Sequence, residues 1–204
     1  MKARNFLALI SVICLLGLSG CISLADTPAP RLYMLHALDK NQAVEQYSIP
    51  SDVIIAIGPI KIPEYQDRPQ IVTQDKNRML TMAQFDRWGE HLDRGMSRVI
   101  LENLSLMLPG ANLELFPVHY AIPLSYQVLV DVVKLENDLE KEIFFVAQWS
   151  IIDLKNKKMA FTRRAEFHQP ISPASYTGLA DALSAICVSL SGEIAKEVES
   201  LVKK

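Results

Sequence analysis

The chain predicts an α+β domain: a mostly antiparallel sheet with two long amphipathic helices packed on one face. Three observations carry that expectation. Several short β-branched runs alternate with a period of two, and two segments hold apolar residues at three-and-four spacing. The hydrophobic fraction is 50%, enough for a packed core and too high for a disordered chain.

The first segment precedes the domain. Lys2 and Arg4 form a short positive stretch, residues 6–18 are almost wholly apolar, and Leu18-Ser19-Gly20-Cys21 follows. An apolar run of about a dozen residues is too short to cross roughly 30 Å of hydrocarbon as a helix, and has the size of a signal-peptide core. Residues 1–20 therefore read as a signal peptide. An ordinary signal makes no demand for cysteine, whereas Leu-Ser-Gly-Cys resembles the bacterial lipobox. That resemblance implies a diacylglyceryl group on the Cys21 thiol, cleavage before Cys21, and acylation of the freed amine. A chance cysteine beside an ordinary signal, or an uncleaved N-terminal anchor, are the alternatives. Several acyl chains, at about 0.8 kcal/mol per buried CH₂, hold a soluble domain firmly to a membrane. An aspartate after the cysteine retains lipoproteins of enteric-type bacteria in the inner membrane, so by the same resemblance Ile22 favours sorting to the outer membrane.

Cysteine usage agrees. Cys14 leaves with the signal and Cys21 becomes a thioether, so Cys187 remains alone and no internal disulfide is expected. Cys187 falls in an apolar helical pattern and reads as a small buried hydrophobe. Residues 21–30 form the lipidated N-terminus and a tether, SLADTPAP, with two prolines and no periodicity. Extended, it reaches about 30 Å, which keeps the domain near its membrane. Residues 31–204 are read as one domain.

Within the domain, strands are predicted at 31–38 and 53–62, the second a β-branched run bounded by Pro50 and Pro63. Residues 71–73 and 79–82 make two short strands around a polar turn, and 113–116 a further one. Residues 126–135 alternate, with Val128, Val130 and Val132 on one face and Leu129, Asp131 and Val133 on the other. Strands at 143–154 and 159–168 are joined by Lys155-Asn156-Lys157 as an antiparallel hairpin. The first helix carries Leu92, Met96, Val99, Ile100, Asn103, Leu104 and Met107, and stops at Pro109-Gly110. The last carries Leu179, Leu183, Ile186, Leu190, Ile194, Val198 and Leu201. Packing on the sheet explains both stripes, with a partner surface on the terminal helix as the alternative.

Little points to catalysis. A net charge of −2 leaves no basic footprint, so nucleic acid is not an expected partner. There is no G-x-S-x-G elbow, P-loop or G-x-G-x-x-G. His36, His91, His119 and His168 are scattered without ligand spacing, and no metal, cofactor or catalytic residue is assigned. Glu136, Asp138, Glu140 and Glu142 flank a turn and read as a solvated cluster.

One stretch is more particular than a generic strand. GPIKIPEYQDRPQIVT, residues 58–73, contains Pro59, Pro63 and Pro69, each fixing φ and removing a backbone donor. It cannot be a regular central strand and reads as strand, exposed crossover and strand, with Tyr65, Asp67 and Arg68 projecting. Either these side chains satisfy a structural turn, or they present a contact surface to a partner or a second subunit.

That stretch, together with FDRWGEHL at 85–92 and RVILENL at 98–104, resembles the ABC-type transport auxiliary lipoproteins, the PqiC-like (YmbA-like) group among them. The lipobox, the early aromatic strand and the long terminal helix extend the resemblance over nearly the whole chain. The chain has Gln66 where the family often has leucine, His91 where it has proline, and Gln74 where arginine is common. The resemblance implies a non-catalytic adaptor of an MCE-type, Pqi-like intermembrane lipid transport system, on the periplasmic face of the outer membrane. Its partners would be an MCE-domain conduit protein, an inner-membrane transporter component reached indirectly, the membrane through the N-terminal lipids, and identical subunits in a ring. Tyr65, Asp67, Arg68, Gln70, Arg87 and Trp88 are then the candidate partner or oligomer contacts. A periplasmic lipid-binding carrier, which needs a cavity of several hundred Å³ between sheet and helices, is the second possibility. An envelope hydrolase is the third.

Overall fold

A computed structural model describes residues 28–119 and 121–203. The signal peptide, Cys21, Ile22 and most of the tether lie outside the described residues. In chain order the elements are β1 (Arg31–Tyr33), β2 (Ile54–Lys61), β3 (Gln70–Gln74), β4 (Leu80–Trp88), α1 (Leu92–Met107), β5 (Asn112–Leu115), β6 (Tyr126–Asn137), β7 (Glu142–Asp153), β8 (Lys158–Pro170) and α2 (Tyr176–Val202). The class is α+β, and the strands form two mixed sheets: β1-β4-β3, and β5-β2-β6-β7-β8.

The run β6-β7-β8 is antiparallel, as the hairpin turn requires. The parallel pairs arise elsewhere: β2 runs parallel to both β5 and β6, and β1 to β4. Each parallel pair needs a long crossover. The path from β2 to β5 supplies one through β3, β4 and α1.

β2 occupies an interior position in its sheet despite Pro59. The register with β6 shifts between Ile57 and Ile60, and Gly58 has φ of 106°. A positive φ is open to glycine without a Cβ clash, so Gly58 and Pro59 are accommodated in an irregularity of the strand. A second irregularity re-phases β6. Val128, Val130 and Val132 are buried as their alternation predicts, the register slips between Val132 and Lys134, and Leu135 and Asn137 are then the buried residues. One inserted residue moves the core face by one position.

The helices cover the five-stranded sheet, α1 against β2 and β5 and α2 against β7 and β8. All seven predicted stripe residues of α1 are buried, from Leu92 to Met107. Ser175 caps α2 by accepting from the Gly178 N–H at 3.1 Å. Length and composition alone would let α2 cross a membrane, but 67% of its most apolar window is buried against the domain. Phe145, Trp149, Ile151, Ile57, Leu183 and Leu190 are each 0% exposed between sheet and helices. Each such side chain contributes about 1.5–3 kcal/mol relative to exposure, so the layer is held by packing. Cys187 is buried with them as expected.

Candidate functional site

The proline-framed connection between β2 and β3 folds as successive tight turns. Gln66 N–H donates to Pro63 O at 2.8 Å, Asp67 N–H to Glu64 O at 3.2 Å and Arg68 N–H to Gln66 O at 2.9 Å. Pro69 cannot donate, and its carbonyl instead accepts from Trp88 N–H at 2.8 Å, which fixes the loop against β4.

The predicted contact residues divide into two groups. Tyr65 and Trp88 turn inward. The Tyr65 hydroxyl donates to the Leu135 carbonyl and accepts from the Leu135 N–H, both at 3.3 Å. Its neighbour Gln66, 1% exposed, donates from Nε2 to the same carbonyl at 3.0 Å. Trp88 is 5% exposed and belongs to the core, with one rim on a groove of about 190 Å³ shared with Arg68, Pro69 and His91.

Asp67 is exposed, and Arg68, Gln70 and Arg87 are half-buried at the surface. Asp67 stands at the crest of the loop, 4.0 Å from His91 Nδ1, and both side chains are exposed. Arg68 Nη1 lies 3.1 Å from Met82 Sδ. Gln70, Arg87 and Leu32 are register partners across the three strands of the small sheet, so they lie abreast on its outer face.

The inner face of that sheet carries a polar cluster the sequence did not single out. Arg31 Nε and Nη2 each donate to Asp86 at 2.7 Å, and the Tyr33 hydroxyl donates to Asp86 Oδ1 at 2.7 Å. The Arg31 hydrogen bond first, then that from Tyr33, hold the Asp86 carboxyl below its usual range although burial opposes them. The two residues are 55 positions apart, so no local pattern could have paired them. Arg98, within the RVILENL stretch, has a comparable structural role. It donates to Leu35 O and to Glu90 Oε1, each at 2.8 Å, tying α1 to the segment after β1.

Two larger grooves are open at the surface. One of about 940 Å³ runs between α1 and β5 past Leu101, Leu113, Leu115 and Phe116. Another of about 790 Å³ lies near Tyr126, Asp153, Lys155 and Met159. The first opens at the seam between α1 and the β5–β2 edge of the large sheet, beside the buried layer. Among the described residues no group of three His, Cys, Asp or Glu side chains is placed to hold a metal ion.

The model of one protein family, described as ABC-type transport auxiliary lipoprotein component, matches residues 33–195. Comparison with curated proteins found no match. Two solved structures share the fold. One, described as an uncharacterized protein, has a TM-score of 0.68 at 15% identity, covering 84% of this chain and 99% of its own. The other, a DUF330 protein from Xanthomonas campestris, has a TM-score of 0.62 at 12% identity, covering 86% of this chain and 96% of its own.

Proposed function

Starting from the chain's membership of the ABC-type transport auxiliary lipoprotein family, we propose that it is the outer-membrane adaptor of an MCE-type intermembrane lipid transport system. The observation that carries this reading is the family match over 33–195, which spans the loop, β2 to β8, α1 and most of α2. In the reading, Cys21 bears the lipids and Ile22 sends the protein to the outer membrane. The domain then holds the tip of an MCE conduit near the leaflet, as one subunit of a ring, so that phospholipids pass without crossing water. Its role is non-catalytic. Asp67 at the loop crest is the contact for the protein partner, since a rigid, proline-framed and charged projection loses little entropy on docking.

A lipid carrier is the second reading, favoured by the apolar walls of the 940 Å³ groove beside α1. That groove is open to solvent, which supports the adaptor over the carrier, because acyl chains need an enclosed apolar cavity to leave water. Affinity purification from mildly solubilised envelopes tests the proposal. Co-recovery of an MCE-domain protein is the expected result; recovery of the protein alone, with acyl lipids copurifying, would transfer the case to the carrier. Cys21→Ser is expected to abolish palmitate incorporation.

A further inference from the structure

We infer that the outer face of the β1-β4-β3 sheet lies against a lipid surface, with Leu32, Met34 and Met82 among the headgroups of an anionic leaflet and Arg68 and Arg87 on lipid phosphates. The inference rests on the lipid-anchored reading above and specifies which side of the domain the anchor turns to the membrane.

The first ground is the composition of that face. The described residues include nine exposed large apolar side chains, and five of them lie in this sheet, at its hairpin tip or directly after β1. Leu32 is 64% exposed, Met34 55%, Met82 58%, Leu80 46% and Met79, in the turn before β4, 63%. The register sets Met82 opposite Val72, itself buried, and Leu80 opposite Gln74; an irregularity separates these pairs from Gln70 and Arg87, and Arg68 Nη1, 3.1 Å from Met82 Sδ, joins the apolar residues to the arginines. Single exposed apolar residues are ordinary, but several gathered at one small sheet mark a surface that is covered in use.

The second ground is charge. Arg68 and Arg87 have no carboxylate partner among the described residues, and the Nε of each is buried without an acceptor. Guanidinium groups suit phosphate oxygens by geometry and are weakly hydrated, so they enter a headgroup layer readily. Lys76 and Arg78 add two cations at the hairpin tip. Of the nearby acids, Asp75 is engaged by the N–H groups of Asn77 and Met79, and Asp67 faces His91 instead. Apolar side chains interleaved with unpaired arginines match a lipid interface better than a protein one, where unpaired charges are depleted from the core.

The third ground is where the chain leaves the domain. β1 begins at Arg31, and residues 22–30 separate it from Cys21. About 30 Å of extended chain is all that stretch supplies, so the sheet containing β1 is the part delivered to the membrane. The 940 Å³ groove is built from α1 and β5 and has no such link to the anchor.

The test uses the lipidated protein in vesicles of phosphatidylethanolamine and phosphatidylglycerol containing a nitroxide phospholipid. Leu32→Cys, Met82→Cys and, as the control at the far end of the large sheet, Met159→Cys each receive an environment-sensitive thiol fluorophore. Native Cys187 is fully buried and Cys21 is blocked, so labelling is site-selective. Lipid quenching is expected at Leu32 and Met82 and not at Met159. Removing either arginine (Arg68→Gln or Arg87→Gln) is expected to lower the ratio of membrane-docked to undocked domain about fivefold, and added salt to do the same. Equal quenching at all three sites overturns the inference, as does protection from water at Leu32 and Met82 without lipid quenching, which would indicate a second copy on that face. Failure of the protein to float with vesicles is a different result: it removes the anchor and with it the adaptor reading.

Discussion

Gln66 donates to the Leu135 carbonyl at 3.0 Å, on a stretch of β6 that β2 does not cover. The last β2–β6 register pair is Lys61 with Asp131, and beyond it the flank of β6 is open. Tyr65 and Gln66 occupy that flank, and Asn137 Nδ2 donates to Val72 O at 2.9 Å to bring β3 alongside. The proline-framed loop thus joins the two sheets through side chain-to-backbone bonds, and its exposed crest is rigid because its base is bonded in this way.

This arrangement predicts non-additive substitutions. Gln66→Leu removes one bond to Leu135 O but also removes Oε1, which is buried without a partner, while Tyr65 still serves the same carbonyl. The expected change is within about 1 kcal/mol. Tyr65→Phe leaves the Leu135 N–H unpaired and costs about 1–3 kcal/mol. The double variant strands both backbone groups and is expected to exceed the sum of the single effects by about 1 kcal/mol. Chemical denaturation of the four proteins measures this, and strict additivity would show that the loop does not act as the closing element.

Asp86 predicts a specific acid response. Its folded-state pKa is held below the unfolded value, chiefly by the Arg31 hydrogen bonds and also by Tyr33. The stabilisation is therefore complete above the unfolded pKa, near about 4, and is lost as pH falls through the folded pKa. Asp86→Asn is expected to cost about 2 kcal/mol at neutral pH and to flatten the fall in Tm as pH drops below about 4. Parallel Tm curves for variant and parent would remove Asp86 from the account.

Much of this fold was legible where one residue's environment is set by its near neighbours. The buried stripe of α1, the β6–β7–β8 meander and the alternation of Val128, Val130 and Val132 are periodic and local. β1 was expected to run through residue 38 but leaves its ladder after Tyr33. His36 N–H then donates to Ser184 Oγ and Leu38 N–H to Asn103 Oδ1, acceptors supplied by α2 and α1. β4 was expected only at 79–82, because Gln84, Asp86 and Arg87 interrupt its apolar pattern. It extends to Trp88 since Arg31 offsets the buried charge of Asp86 from a distant strand. The prolines marked the loop as irregular, but not that Tyr65 and Gln66 would face β6. That depends on where β2 stops covering its neighbour.

Cys187 is expected to report global unfolding. It is fully buried in α2, and burial pushes its thiol up to about 12. Thiolate is the reactive form, so at about pH 8 a maleimide should leave it untouched in the native protein and modify it at the rate of unfolding. Cys187 labelling in mild denaturant is expected to follow the loss of secondary structure. Rapid native-state labelling would mean that α2 opens locally from the sheet.

Asp67 carries the most direct test of the protein contact. Its carboxylate is exposed at the crest, 4.0 Å from His91 Nδ1, whose side chain is also exposed. An exposed pair of this kind adds little stability, so Asp67→Arg should change folding by less than about 0.5 kcal/mol. A docking site reads the same change differently, because reversing a charge that faces a complementary partner converts attraction into repulsion. Recovery of the MCE protein with Asp67→Arg is therefore expected to fall about tenfold, a difference of roughly 1.4 kcal/mol, with Tm unchanged. Normal recovery with an unchanged Tm would place the partner surface elsewhere on the domain, the groove beside α1 being the next face to alter.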